Sequence, residues 1–255
     1  MAQIESSTPE HTAPQISIII PAFNEQESIV ACVQEIHSVF ADAGYAFEIL
    51  VVNDGSTDNT LEVSAKLKSH CPFVRVIDLG RNYGKNVALS EGTKRAKGDI
   101  IAFFDADLQY DAQDLVRMIK VFDGSPKVVS GRRDYRTYET VRTSISKTYN
   151  GLLKVILRMP ISDSNCGIKA MSKVIAESAK TFSFGSPLMV PYLKVRGHKI
   201  EELPVRLRQR HAGTSKHYDA NAFFGGWKTF RSISYHSIML LGLMLSIPLE
   251  SRMYR

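Results

Sequence analysis

Cysteine is scarce in this chain and carries no pattern. Cys32, Cys71 and Cys166 are odd in number and unrelated in spacing, which offers neither a disulfide ladder nor a zinc motif and fits a reducing cytosol. Long apolar runs are missing too. The 12 uncharged residues "IMLLGLMLSIPL", 238–249, fall short of a bilayer span, which needs about 20. They suit an anchor lying in the membrane plane or the start of a longer apolar segment. The opening stretch "MAQIESSTPEHTAPQ" has neither the basic start nor the apolar centre of a signal peptide, so a short disordered tail is expected over 1–15. No RNA-binding signature or helix-turn-helix stands out. The formal charge of +6 and the isoelectric point near 9.2 therefore point to phosphate on a small molecule or lipid rather than to nucleic acid.

What is present is a well-filled α/β chain. With 255 residues, 44% of them hydrophobic, it is long enough for one large domain. Basic residues crowd the second half, in "GRRDYRTYETVRTSISK" and "PVRLRQRHAGTSKH", whereas the first half has a mixed-charge surface. In that first half, "ISIII" (16–20), "FEILVV" (47–52), "FVRVIDL" (73–79) and "DIIAFF" (99–104) read as buried parallel strands. Between them lie helix-type stretches. In the first, Ile29, Val33, Ile36 and Phe40 recur at helical spacing and Gly44 is a natural stop. This alternation predicts βαβ crossovers and a parallel sheet with helices on both faces.

Such sheets bind ligands outside the carboxyl ends of their strands. The loops at that end are "PAFNE", "NDGSTD", "GRNYGK" and "DADLQ", each polar or containing glycine, and four of them at one end make a single crevice. Asp105, Asp107 and Gln109 stand at alternate positions, so an extended loop would turn all three the same way. Two carboxylates and an amide suit a hard divalent cation; the competing reading is a polar strand end whose Asp caps the next helix. In "NDGSTDNT", Asp54 is placed either to accept from a ring N–H of a base or simply to form a turn, with Ser56 or Thr57 capping a helix. In "PAFNE", Pro21 has the alternative of merely ending a strand and Glu25 of merely beginning a helix.

Taken in order, "SIIIPAFNEQESI", "ILVVNDGSTDNT", "LGRNYGKNVALSEG", "GDIIAFFDADLQ", "NCGIKAMSK" and "ELPVRLRQRHAGTSK" resemble the family-2 inverting glycosyltransferases of the GT-A fold, and among them the polyprenyl-phosphate glycosyltransferases. The resemblance runs from Ile16 to Lys216. It implies a Rossmann-like, mostly parallel sheet flanked by helices, with a catalytic domain over 16–218 and a membrane-associating segment over 219–255. It implies sugar transfer from a nucleotide-sugar, GDP- or UDP-linked, to an undecaprenyl or dolichyl phosphate with Mg²⁺ or Mn²⁺ as cofactor. Pro21, Ala22, Phe23, Asn24, Glu25 and Asp54 would cradle the base and ribose, and Asp105 would contact the nucleotide-sugar. Asp107 and Gln109, with Asp105, would hold the metal on the diphosphate. Lys85 would assist donor binding, a solvated surface lysine being the other reading, and Arg210 and Lys216 would close over the diphosphate. Arg132, in "SGRRDYR", is the first choice for the lipid phosphate and Arg142 the second, while Arg133 and Arg136 read equally well as solvated surface charges. Arginine's fork suits phosphate.

Two positions depart from the family pattern: Asn53 stands where many relatives have a first Asp, and "DLQYDAQ" lacks the His-Pro that often follows the Gln. Near the C-terminus, Phe223, Phe224, Trp227, Phe230 and Ile233 recur at three- and four-residue intervals with Lys228 and Arg231 between them. Taken alone they suit an ordinary core-packing helix equally well; with a lipid substrate they predict an amphipathic helix in the membrane interface at the cytoplasmic face. A sugar nucleotidyltransferase is disfavoured because "PAFNEQES" has no glycine to admit a triphosphate, and the Q-x-x-R-W signature of processive polysaccharide synthases is absent. The remaining alternatives are a family-2 transferase with a non-lipid acceptor and a non-catalytic nucleotide-sugar-binding membrane protein.

Overall fold

The computed structural model describes residues 15–133, 151, 162–178 and 186–208. Among them the chain runs β1 (Ile16–Ala22), α1 (Ile29–Asp42), β2 (Phe47–Asn53), α2 (Thr60–His70), β3 (Val74–Asp78), α3 (Lys85–Arg95) and β4 (Ile100–Phe103). It continues through α4 (Ala112–Ile119), β5 (Val128–Arg133), β6 (Lys169–Ser172), α5 (Lys173–Ala176), α6 (Ser186–Val195) and β7 (Ile200–Val205). The strands form one sheet in the order β3-β2-β1-β4-β6-β5-β7. β1 to β4 pair in parallel as the apolar runs predict, but β6 pairs antiparallel with both β4 and β5, so the sheet is mixed though mostly parallel.

Both faces are covered, which is why the first strands are near-continuous apolar runs. On one side Ile16, Ile18 and Ile20 alternate into a core with Ile29, Val33, Ile36 and Phe40 of α1 and Leu115 and Met118 of α4. On the other, Ile19, Leu50 and Val52 meet Ala88 and Leu89 of α3 and Met189 and Leu193 of α6. Gly92 lets α3 lie close, since a Cβ there would stand 3.1 Å from a Val52 methyl. Helix α1 ends at Asp42, and Gly44 follows in a left-handed conformation, φ 73, its amide returning to the Ala41 carbonyl at 3.0 Å.

Two reversals in the sheet decide where the site lies. Because β6 is antiparallel to β4 and β5 is antiparallel to β6, β5 points the same way as β4. Phe103, Lys169 and Ser130 stand side by side across these strands. Asp105 and Arg132 are each two residues beyond that line, at one rim and about 10 Å apart, two strand spacings.

Candidate active site

The rim begins with two loops tied together by neutral groups. Asn24, at φ 55, donates its amide to Ser56 Oγ at 2.9 Å, and its side-chain oxygen accepts the Thr57 amide at 2.7 Å. The Glu25 amide donates to Thr60 Oγ1 at 2.7 Å, and Glu25 Oε2 accepts the Ser28 hydroxyl at 2.7 Å. Neither Ser56 nor Thr57 caps α2, as the sequence suggests; the residue before that helix is Asn59, and the Ser56 hydroxyl is turned to the β1–α1 loop instead. Helix α1 starts at Ile29, whose amide returns to the Glu25 carbonyl at 2.9 Å. Pro21 lies within β1, level with Val52.

Asn53 has a reason to be an amide. Its Nδ2 donates to Asp78 Oδ1 at 2.8 Å while its Oδ1 accepts the Ser56 amide at 3.2 Å. An aspartate there has no donor for Asp78 and would set two carboxylates together. Asp54 is buried, and its two oxygens accept the Tyr83 and Gly84 amides at 2.8 and 2.9 Å. It draws the β3–α3 loop against β2 and so sets Lys85 at the start of α3. Gly55, at φ 66, is required by the same closure: a Cβ would stand 2.5 Å from the Asn82 amide nitrogen.

Charge holds the other half of the rim. Lys85 Nζ stands 2.5 Å from Asp105 Oδ1. Burial pushes the Asp105 carboxyl up, but Lys85 above all, with Lys169 and Arg133, outweighs it and keeps the group below the usual aspartate range. The buried Cys32 thiol lies 3.8 Å from the Asp105 carbonyl, and burial raises its pKa well above the usual value, so it stays a thiol. Beyond Asp105 the chain does not extend as alternate spacing predicts. It turns at Ala106 and Asp107, and Leu108 adopts φ 58, so side-chain alternation is broken before Gln109. Asp107 is nearly buried, and its Oδ1 accepts the Gln109 amide at 3.2 Å. The cap of α4 is Asp111, which accepts the Gln113 amide at 2.9 Å. Capping therefore accounts for neither Asp105 nor Asp107.

Arg208, three residues past β7, closes this loop. Its amide donates to the Gln109 carbonyl at 2.8 Å, and its guanidinium bridges Glu35 at 2.8 Å and Asp111 at 2.6 Å. Arg210, Lys216 and Arg142 lie outside the described residues, as do Arg136 and the segment 219–255.

At the end of β5, Arg132 is exposed, whereas Arg133 is not the solvated charge that its sequence context allowed. Its side chain makes a two-pronged contact with the fully buried Asp163, Nε and Nη2 donating at 2.7 and 2.8 Å, and its amide adds a third bond at 3.1 Å. Burial raises the Asp163 carboxyl, and the Arg133 hydrogen bonds more than reverse this, leaving it below the usual range. Nearby, Lys169 is buried with Nζ donating to the Cys166 carbonyl, and burial pulls its pKa down to about 8. Asp163, Gly167 and Lys169 have no role assigned by their sequence context, although Gly167 and Lys169 fall within "NCGIKAMSK", one of the stretches that carry the family resemblance.

The arrangement gathers carboxylates at one rim, with Lys85 paired to Asp105 and the exposed Arg132 two strands away. The family model for glycosyl transferase family 2 matches residues 17–179. The chain belongs to glycosyl transferase family 2. Among curated relatives of this family-2 chain are the undecaprenyl-phosphate 4-deoxy-4-formamido-L-arabinose transferases of Salmonella paratyphi B and Salmonella newport, each 29% identical over 204 residues, 80% of this chain. The chain spans about 62% of the length of these relatives. A solved mannosyl-3-phosphoglycerate synthase from Rubrobacter xylanophilus superposes with a TM-score of 0.64 at 18% identity, over 94% of this chain and 76% of that one. The mannosyltransferase PcManGT from Pyrobaculum calidifontis, solved with GDP-Man and Mn²⁺, gives 0.59 at 20% identity, over 83% and 61%. These likenesses establish the GT-A fold for this family-2 member.

Proposed function

We propose that this chain transfers a hexose-type sugar from a GDP- or UDP-sugar to a polyprenyl phosphate, with inversion at the anomeric carbon. The observation that carries the reading is the level placement of Asp105 and Arg132 at one rim, with Lys85 on the first and the second open to solvent. The lipid-phosphate acceptor named for the Salmonella relatives supports the acceptor class, and the GDP-Man and Mn²⁺ held by the archaeal mannosyltransferase support the donor class and a divalent ion.

In this reading the loop Pro21 to Glu25, with Asp54 behind it, receives the base and ribose. Asp105, Asp107 and Gln109 offer two carboxylates and an amide oxygen, a set that fits Mg²⁺ or Mn²⁺. Among the described residues no group of three or more His, Cys, Asp or Glu could hold a metal ion, so an ion bound here would need diphosphate and water to supply its remaining oxygens. When bound, such an ion offsets the charge that grows on the departing diphosphate. Lys85 is a cation of the chain's own within reach of the same place, and Arg210 and Lys216 are assigned to its far side. Arg132, with Arg142 as second choice, holds the acceptor phosphate. That phosphate is already anionic near neutral pH, its second ionisation lying near about 6, so no general base is required. One phosphate oxygen forms the bond to the anomeric carbon as the bond to the nucleoside diphosphate breaks and the diphosphate leaves with the electron pair. Placement and electrostatics supply the acceleration.

The direct test incubates the protein and Mn²⁺ or Mg²⁺ with undecaprenyl and dolichyl phosphates and a panel of UDP- and GDP-sugars, with mass spectrometry of the lipids. A lipid-phosphate-linked sugar is the expected product. Transfer to water-soluble acceptors alone would assign a different acceptor, and binding without transfer would make the chain a nucleotide-sugar-binding protein. The same reading places the protein at the cytoplasmic face of a membrane, held by residues 219–255. Among the described residues no helix is long and apolar enough to cross a bilayer. The full-length protein should co-sediment with anionic vesicles, a 1–219 fragment should not, and high salt should weaken binding without abolishing it, because each nearby Lys or Arg adds about 1 kcal/mol that salt screens while apolar insertion is unscreened.

A further inference from the structure

The turn that leads into β6 has no part in the reading above, yet it lies between the two ends of the site. Lys169, the first residue of β6, stands between Phe103 of β4 and Ser130 of β5, so the residues just before it occupy the rim between Asp105 and Arg132. Gly167 is pressed against Asp105. A Cβ at Gly167 would come within 2.8 Å of Asp105 Cγ and 2.8 Å of the Tyr110 ring carbon Cε2, and closer still to Asp105 Oδ2. Only a glycine leaves room for the carboxylate in this orientation. The Gly167 backbone is in turn tethered, its amide donating to Tyr110 Oη at 2.9 Å. The Tyr110 ring is buried and stands edge-on to Phe104, the residue before Asp105, with centroids 6.5 Å apart. Behind the turn, Lys169 Nζ holds the Cys166 carbonyl and Arg133 holds Asp163. Asp105 thus sits in a slot, a backbone wall on one side and Lys85 on the other.

We propose that Gly167 and Tyr110 are positioning residues for Asp105: the tethered Gly167 backbone sets the carboxylate toward Lys85 and the crevice. The inference rests on the proposed function only for what Asp105 then does. Asp105 serves the donor, so disturbing the wall should damage donor use and leave the acceptor's KM unchanged. A merely structural role would lower stability and affect both substrates alike.

Two measurements on the full-length protein test this. The first needs no substrate: chemical denaturation of Lys85→Met, Asp105→Asn and the double variant, in the wild-type, Gly167→Ala and Tyr110→Phe backgrounds. The two substitutions should be non-additive in the wild type, more nearly additive with Tyr110→Phe, and additive with Gly167→Ala. Equal coupling in all three backgrounds would overturn the proposal. The second is steady-state transfer with the donor and polyprenyl phosphate found active above. Gly167→Ala should lower kcat/KM for the donor about 100-fold, the scale of a misplacement near 1 Å. Tyr110→Phe, which keeps the ring and loses the tether, should lower it several-fold, with the acceptor KM unchanged in both. Wild-type donor kinetics in Tyr110→Phe together with unchanged coupling would likewise overturn it. That variant decides the matter if Gly167→Ala does not fold. A wild type that transfers nothing would refute the proposed function, while the denaturation cycle would still decide the positioning.

Discussion

The two halves of the rim are held by different physics. Around β1 and β2 the loops are joined by hydrogen bonds from uncharged donors, Asn24 to Ser56 and Thr57, Glu25 to Thr60, and Asn53 to Ser56, and the carboxylates there accept from amides and hydroxyls rather than from cations, Asp54 from Tyr83 and Gly84, Asp58 from Gln26 and Thr60, and Asp78 from Asn53. Around β4, β5 and β6 the joints are ionic: Lys85 with Asp105, Arg133 with Asp163, Arg208 with Glu35 and Asp111. Neutral bonds to backbone amides hold a shape and have nothing to exchange. The partly exposed Lys85–Asp105 pair is able to trade partners if a charged ligand competes for the same charges, whereas the Arg133–Asp163 pair is buried and shielded from such exchange. The first half is therefore a preformed frame, and the second carries the charges that the proposed ligands would meet.

Substitutions should separate the halves by what they damage. The largest effect belongs to the ionic half: Asp107→Ala should abolish transfer and remove its dependence on Mg²⁺ or Mn²⁺, and Asp105→Asn should cost at least about 10²-fold in turnover. Metal-dependent, near-wild-type turnover in Asp107→Ala would break the assignment of the metal to this loop. Next, Arg132→Ala should raise the apparent KM for polyprenyl phosphate about 10- to 100-fold, the scale of a charge-assisted hydrogen bond, with little change in the KM for the donor. A change confined to the donor would mean that the β5 end does not face the acceptor.

In the neutral half the damage should fall on stability. Asn53→Asp should lower the free energy of unfolding by about 1–3 kcal/mol, read from denaturant midpoints, because it removes the donor to Asp78 and opposes two carboxylates. Midpoints equal to wild type would show that Asn53 does not hold the β2 and β3 ends together. A last effect is the pH dependence of the buried lysine. The folded-state pKa of Lys169, about 8, lies below the ordinary lysine value of about 10.4, so its burial is a penalty fully present below pH 8. That penalty fades as pH rises through this window, since the unfolded chain then binds more protons than the folded one. Wild-type stability should thus gain relative to Lys169→Met between about pH 8 and 10, and parallel curves across that window would place the ammonium in a more solvated setting.

Much of this was readable from the chain because it rests on short-range rules. Buried strands had to be apolar runs, as in Ile16 to Ile20. The 3.6-residue recurrence of Ile29, Val33, Ile36 and Phe40 had to face a core, and polar loops after such strands had to collect at one end of the sheet. Those rules also brought Asp105, Lys85 and Asp54 to one rim. The roles of single side chains were settled by neighbours distant in sequence. That Asn53 must donate follows from Asp78 on the next strand, that Asp54 turns inward follows from the amides of Tyr83 and Gly84, and that Arg133 is buried follows from Asp163, thirty residues on. The turn at Leu108 is a backbone choice that alternation cannot foresee. The antiparallel insertion of β6 is the clearest case: local sequence does not say which strands will flank Lys169, and only that pairing places Gly167 against Asp105 and brings Arg132 level with it.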